Sequence, residues 1–215
     1  RFEYESKKYS DYVGKIYDIR DIKNSYTSKP DDIAIIVGIE RYKSLVPSLN
    51  SVNDALVFRS YTQKVLGINK SKIFSNKEFS DTVFNNLFFS SESYAKKMVQ
   101  ASKSNIFIYF SGHTLTTAGG DDIYITSYDC SLNTLHSCAI KLSDLINKLN
   151  ELSPNSINII LESTLNGKTK TNSIGKQEII SPNANSFNLE SFKNKINTER
   201  LNLLYTGNSE QTPLV

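Results

Sequence analysis

At 215 residues with 39% hydrophobic and 11% aromatic content, the chain can bury a core of its own, which excludes disordered and fibrous classes. Lys and Arg number 25 against 22 Asp and Glu, and the net charge of +3 is spread along the chain, which argues against nucleic acid as a partner. No apolar run approaches the roughly 18 residues that read as a membrane span, and no signal-like apolar region is present.

The chain begins at Arg1 and its only methionine is Met98, so it reads as a trimmed chain. Localisation stays open, with export to the periplasm or the cell exterior among the options. Residues 1–31, rich in Lys, Tyr and Ser without a sustained period, read as a lead-in that ends at Pro30, and one domain is expected over 32–215. "IAIIVGI" (33–39) is a continuous β-branched run, the mark of a strand covered on both faces. "NSVNDALVFRSYTQKVLG" follows with Ala55, Phe58, Tyr61 and Val65 at helical spacing and Gly67 as a stop. A second helical zone carries Val83, Leu87, Phe88, Tyr94 and Met98, with a break at Ser90-Ser91.

"NIFIYFSGH" (105–113) is the second buried strand and runs straight into Ser111-Gly112-His113. "GGDDIYITSYD" reads as a further short strand. "KLSDLINKLNEL" places Leu142, Leu145, Ile146 and Leu149 on one helical face, with Ser143 as the cap. "SINIILES" is the third buried strand, and the polar stretch 166–186 reads as an exposed loop. "FNLESFKNK" reads as a helix and "RLNLLYTG" as a fourth buried strand. Strands alternating with helices predict an α/β fold with a parallel sheet and helices on both faces.

In such sheets, ligands collect at the carboxyl ends of the strands. Two strands end in chemically capable residues there, His113 after "IFIYFSG" and Glu162-Ser163-Thr164 after "INIIL". Cys130 and Cys138 stand eight positions apart, and two readings remain open for them, a disulfide and two free thiols. His136 lies between them, but Cys-x5-His-x-Cys matches no common zinc spacing. No metal and no cofactor are expected.

The segments "DDIAIIVGIERY", "NSVNDA", "FIYFSGH", "GGDDIYITSYD" and "INIILESTLNG" resemble, in order and spacing, the caspase and metacaspase superfamily, most of all its bacterial members, over about residues 31–212. The resemblance implies a caspase-like three-layer α/β/α sandwich with a mostly parallel central sheet. It implies that His113 stands where the family has its general base and Thr164 where the family has its nucleophilic cysteine. Thr114 takes the place of the glycine whose amide stabilises the oxyanion. Asp54 and Glu162 occupy the positions of an acidic pocket for a Lys or Arg side chain, and Ser48 replaces the arginine with which caspases select aspartate. Relatives usually continue into another helix beyond the strand matching "RLNLLYTG", so either a downstream segment is missing or the domain is short.

These substitutions predict a pseudoprotease. A thiol ionises near pH 8.5 and a neighbouring histidine pulls that lower, whereas a threonine hydroxyl needs a strong base oriented by a third group, and no residue in the sequence stands out for that part. A β-branched Thr114 is also ill suited to a backbone that glycine serves. The expected function is binding of a peptide or protein partner, a basic residue on it being the feature the acidic pocket would recognise, or action as a scaffold, with the oligomeric state open. The alternative is a working endopeptidase that cleaves after Lys or Arg with a non-standard nucleophile, such as Thr164 or a relocated Cys130. Ser163, expected on the opposite side of its strand from Thr164, reads as packed.

Overall fold

The computed structural model describes residues 27–76, 79–163 and 186–205. β1 (Ile33–Gly38), β2 (Ile73–Asn76), β3 (Asn105–Ser111), β7 (Ser156–Glu162) and β8 (Leu201–Tyr205) form a parallel sheet in the order β2-β1-β3-β7-β8. A second, antiparallel sheet of β4 (Thr114–Thr116), β5 (Ile123–Thr126) and β6 (Ala139–Lys141) grows from the end of β3. The helices are α1 (Ser51–Lys64), α2 (Asp81–Phe84), α3 (Tyr94–Met98), α4 (Leu135–Cys138), α5 (Leu142–Asn150) and α6 (Leu189–Lys193).

The period of two along each strand deals the apolar run of β1 to both faces. Ile33, Ile35 and Val37 join Ile106, Ile108, Phe110, Ile157, Ile159 and Leu161 under α2, α3, α5 and α6. Ala34 and Ile36 turn to the other face, where they meet Tyr109 and Ala55 and Phe58 of α1. Layers of helix therefore lie on both sides of a parallel sheet, the α/β arrangement that the alternating pattern predicts. Connections that run in opposite lateral directions along a sheet place their helices on opposite faces. That is why α1, on the step from β1 out to β2, stands apart from the rest.

Several local expectations need correction. The third and fourth strands are not buried on both faces. In β7, Asn158, Ile160 and Glu162 are half-buried, and in β8 Leu204 is 61% exposed, because α1 covers β1 and β3 but not the sheet edge. β2, with only Ile73 and Phe74 apolar, and the three-residue strands β4 and β6 were too short for any period to reveal them. The break at Ser90-Ser91 is real. The helical zone divides into α2, a π-helical turn over Asn85–Phe89, and α3, which Ser93 caps by accepting the Lys96 N–H at 3.3 Å.

Ser143 is not the cap of its helix. α5 starts one residue earlier, after Lys141, which makes no side-chain cap. Asp122 acts in its place from the turn before β5, accepting the Ser143 N–H at 3.2 Å and the Ser143 hydroxyl. A cap supplied across 21 residues of sequence leaves no local signature.

Cys130 and Cys138 form a disulfide, with Cα atoms 5.3 Å apart. This resolves the open alternative and removes Cys130 as a relocated nucleophile. The bridge closes a short loop directly after the last residue pair of β5 and β6, Thr126 with Ala139. Closing a loop of this size stabilises by about 2–3 kcal/mol in the chain-entropy account. Reduction is therefore expected to lower Tm by about 5–10 °C, measured by thermal melts with and without a phosphine reductant. An unchanged Tm would show that the bridge contributes nothing. Among the described residues, no three His, Cys, Asp or Glu side chains are arranged to hold a metal ion, His136 included. No described helix is long and apolar enough to cross a membrane.

Candidate functional site

β1, β3 and β7 end level with one another, since Gly38 pairs with Ser111 and Ser111 with Glu162. α1 begins against that edge. A Cβ on Gly38 would stand 2.3 Å from the Ser51 carbonyl oxygen and 2.7 Å from the Ala55 Cβ, so the missing side chain is what lets the helix descend onto the strand. The first turn of α1 then carries Asp54 to the sheet edge, where its Oδ2 accepts the Ser111 hydroxyl at 3.3 Å.

Tyr109 and Ser111 are two apart in β3 and share a face, as does Glu162 across the register. The Tyr109 hydroxyl donates to Glu162 Oε2. Burial pushes the Tyr109 pKa far above the ordinary range, and the hydrogen bond to Glu162 and the negative charges of Glu162 and Asp54 push it further. The phenol accordingly stays a donor, and the local potential is negative. Asp54, Glu162, Tyr109, Phe58, Val57 and Tyr61 line one cavity of about 400 Å³. Two carboxylates 108 positions apart in sequence (54 and 162) thus reach one cavity with an aromatic wall.

His113 lies beyond Gly112 and is only 2% exposed. Its ring stacks on Tyr42 at 4.6 Å between centroids, and its backbone N–H donates to the Tyr42 hydroxyl at 2.8 Å. Burial raises the Tyr42 pKa well above its ordinary value, so that hydroxyl is also un-ionised. The Thr126 hydroxyl donates to the His113 carbonyl at 2.7 Å. His113 Nε2 lies 2.7 Å from the Val46 carbonyl oxygen. A carbonyl only accepts, so Nε2 carries a proton in this contact. A group that orients His113 exists, but it is a main-chain oxygen, and residue types carry no signal for it.

For Thr114 one argument needs correction, the one from its backbone. Thr114 opens β4 opposite Ile125, fully buried, and the non-glycine residues with positive φ among those described are Asn50, Ser102 and Ser153. Its backbone is ordinary, so the argument from β-branching does not hold. The glycine constraint falls two residues earlier, at Gly112, where a Cβ would meet the Tyr42 hydroxyl at 2.6 Å and the Phe110 ring at 2.8 Å. Thr114 Oγ1 is 2.7 Å from Ser163 Oγ, and both are fully buried. Ser163 is therefore packed and hydrogen-bonded. Ser48 is buried at the entry to α1, 2.8 Å from the Ser51 hydroxyl. Thr164 and the 166–186 stretch lie outside the described residues, apart from Ser186.

Tyr42, Val46, Tyr109 and Ser111 escaped the sequence reading. For Tyr109 and Ser111 a signal existed, since two hydroxyls spaced by two inside an apolar strand must share one face.

No protein-family model matches the sequence, and no curated protein matches it. Among solved structures, the chain is similar to one described as "structure of pro-sf-caspase-1", at 14% identity and a TM-score of 0.40. The match covers 68% of this chain and 50% of that one, so the chain spans about half the length of that structure.

Proposed function

We propose that this chain is a caspase-like domain without peptidase activity, which binds a peptide or protein partner by a basic side chain held between Asp54 and Glu162. The observation that carries the reading is the convergence of these two carboxylates on one cavity at the carboxyl edge of a parallel sheet. Each is oriented by a hydroxyl from β3, Ser111 for Asp54 and Tyr109 for Glu162. Oriented carboxylates bind guanidinium or ammonium by strong, directional bonds and need no nucleophile to do so. The absence of turnover rests on Thr164 at the family's cysteine position, because a threonine hydroxyl is far from ionising at neutral pH. The Cys130–Cys138 bridge supports an oxidising compartment for the domain.

A second reading, an endopeptidase cleaving after Lys or Arg with Thr164 as nucleophile, is favoured by one observation. The Val46 carbonyl accepts from His113 Nε2 and so orients the ring, the part that a third group plays for a general base.

One set of titrations and assays separates the two. Calorimetry with peptides differing at a single position is expected to show Arg and Lys binding more tightly than Asp, with the preference weakening as salt rises. Asp54→Asn is expected to lose about 1–3 kcal/mol of that binding. Fluorogenic Arg and Lys peptides are expected to show no turnover. Turnover that disappears in His113→Ala would establish the second reading, and equal affinity for Arg and Asp peptides would remove the acidic pocket.

A further inference from the structure

Within the proposed cation pocket, and resting on that reading, we infer that the preferred occupant is a weakly hydrated, alkylated cation: an N-methylated lysine side chain or a related quaternary ammonium group. A bare ammonium is disfavoured. Three features of the cavity lead there. Its walls are Val57 and the rings of Phe58, Tyr61 and Tyr109, with Phe58 stacked on Tyr109 at 4.4 Å and Tyr61 6.0 Å from Phe58. Its two carboxylates already accept hydroxyl hydrogens, Asp54 from Ser111 and Glu162 from Tyr109. They supply negative potential while part of their accepting capacity is spent inside the protein. The third feature is position, since Tyr61 and Val57 are exposed at 37% and 43% and put apolar surface at the mouth.

A primary ammonium gives up three strong hydrogen bonds to water and needs three acceptors in exchange. A trimethylammonium has none to give up. It gains from aromatic surface and from charge at a distance, and the cavity has three aromatic residues and two carboxylates in its lining. An arginine guanidinium shares part of that advantage through its weak hydration and its planar stacking, so it falls between the two.

The test uses the whole chain and one peptide sequence carrying lysine, trimethyllysine or arginine at a single position, with free choline as a fourth ligand. Trimethyllysine is expected to bind roughly tenfold more tightly than lysine, with arginine between them. Tyr61→Ala, which removes an exposed ring of the lining, is expected to weaken trimethyllysine roughly tenfold and to weaken lysine much less, so that the gap between them closes to within about twofold. Phe58→Ala should act in the same direction. Its packing on Tyr109 makes Tyr61→Ala the variant to rely on, with circular dichroism confirming that each is folded. Choline binding as tightly as the trimethyllysine peptide would assign the site to free quaternary ammonium compounds, and a peptide advantage would assign it to modified protein. Lysine binding as tightly as trimethyllysine would overturn this inference and leave the acidic pocket standing. No binding of any of the four would remove both.

Discussion

Gly38→Ala is expected to lower stability by about 3 kcal/mol and to reduce affinity for basic peptides by more than tenfold. Among the described glycines, Gly67 and Gly120 have positive φ and Gly38 does not, so alanine's backbone preference does not oppose the change. Space does. The new methyl would lie 2.3 Å from the Ser51 carbonyl oxygen and 2.7 Å from the Ala55 Cβ, and the first of these is helix backbone, which no rotamer change moves. Restoring ordinary contact requires α1 to retreat by about 1 Å. Asp54 sits in the first turn of that helix, and its contact with the Ser111 hydroxyl is 3.3 Å at the outset, so the same movement breaks it. Urea denaturation gives the stability change, and calorimetry on the folded fraction gives the affinity. A loss of stability with affinity preserved would show that Asp54 is not positioned through the α1–β1 contact.

The second large effect is Asp122→Ala, expected to cost about 2–4 kcal/mol. Asp122 is 1% exposed and satisfies three donors, the Ile123 N–H at 2.8 Å, the Ser143 N–H at 3.2 Å and the Ser143 hydroxyl. Its charge also faces the amino end of α5, where the helix dipole favours an anion. Alanine leaves Ser143 with a buried N–H and a buried hydroxyl in want of acceptors, at the start of a helix whose Leu142, Leu145, Ile146 and Leu149 cover the sheet. Asp122→Asn retains one carbonyl acceptor and should cost less than half as much. Both are read from the urea midpoint at unchanged m-value. A loss below about 1 kcal/mol for alanine would mean that water replaces the carboxylate as cap.

How much of this was legible in the chain depends on how local each cause is. The apolar runs at 33–38 and 105–111 specify strands because β-branched and aromatic residues in succession fit a sheet buried on both faces. Alternation with helical spacing then dictates a parallel order, and a parallel order puts the chemistry at the carboxyl edge. His113 and Glu162 could therefore be singled out from sequence as residues of that edge, whereas Asp54 rested on the family resemblance alone. Which of them meet was settled only by tertiary structure. Asp54 and Glu162 share a cavity because α1 docks on Gly38 and the strand register sets Ser111 beside Glu162. His113 is oriented by the carbonyl of Val46, a backbone atom that every residue type possesses. The cap of α5, the ring that stacks on His113 and the disulfide are equally nonlocal, since each joins groups whose approach depends on how the intervening chain folds. Spacing reports what one segment can become. Contacts between segments are fixed by packing, and packing places Gly38 and Gly112 where a single methyl group would not fit.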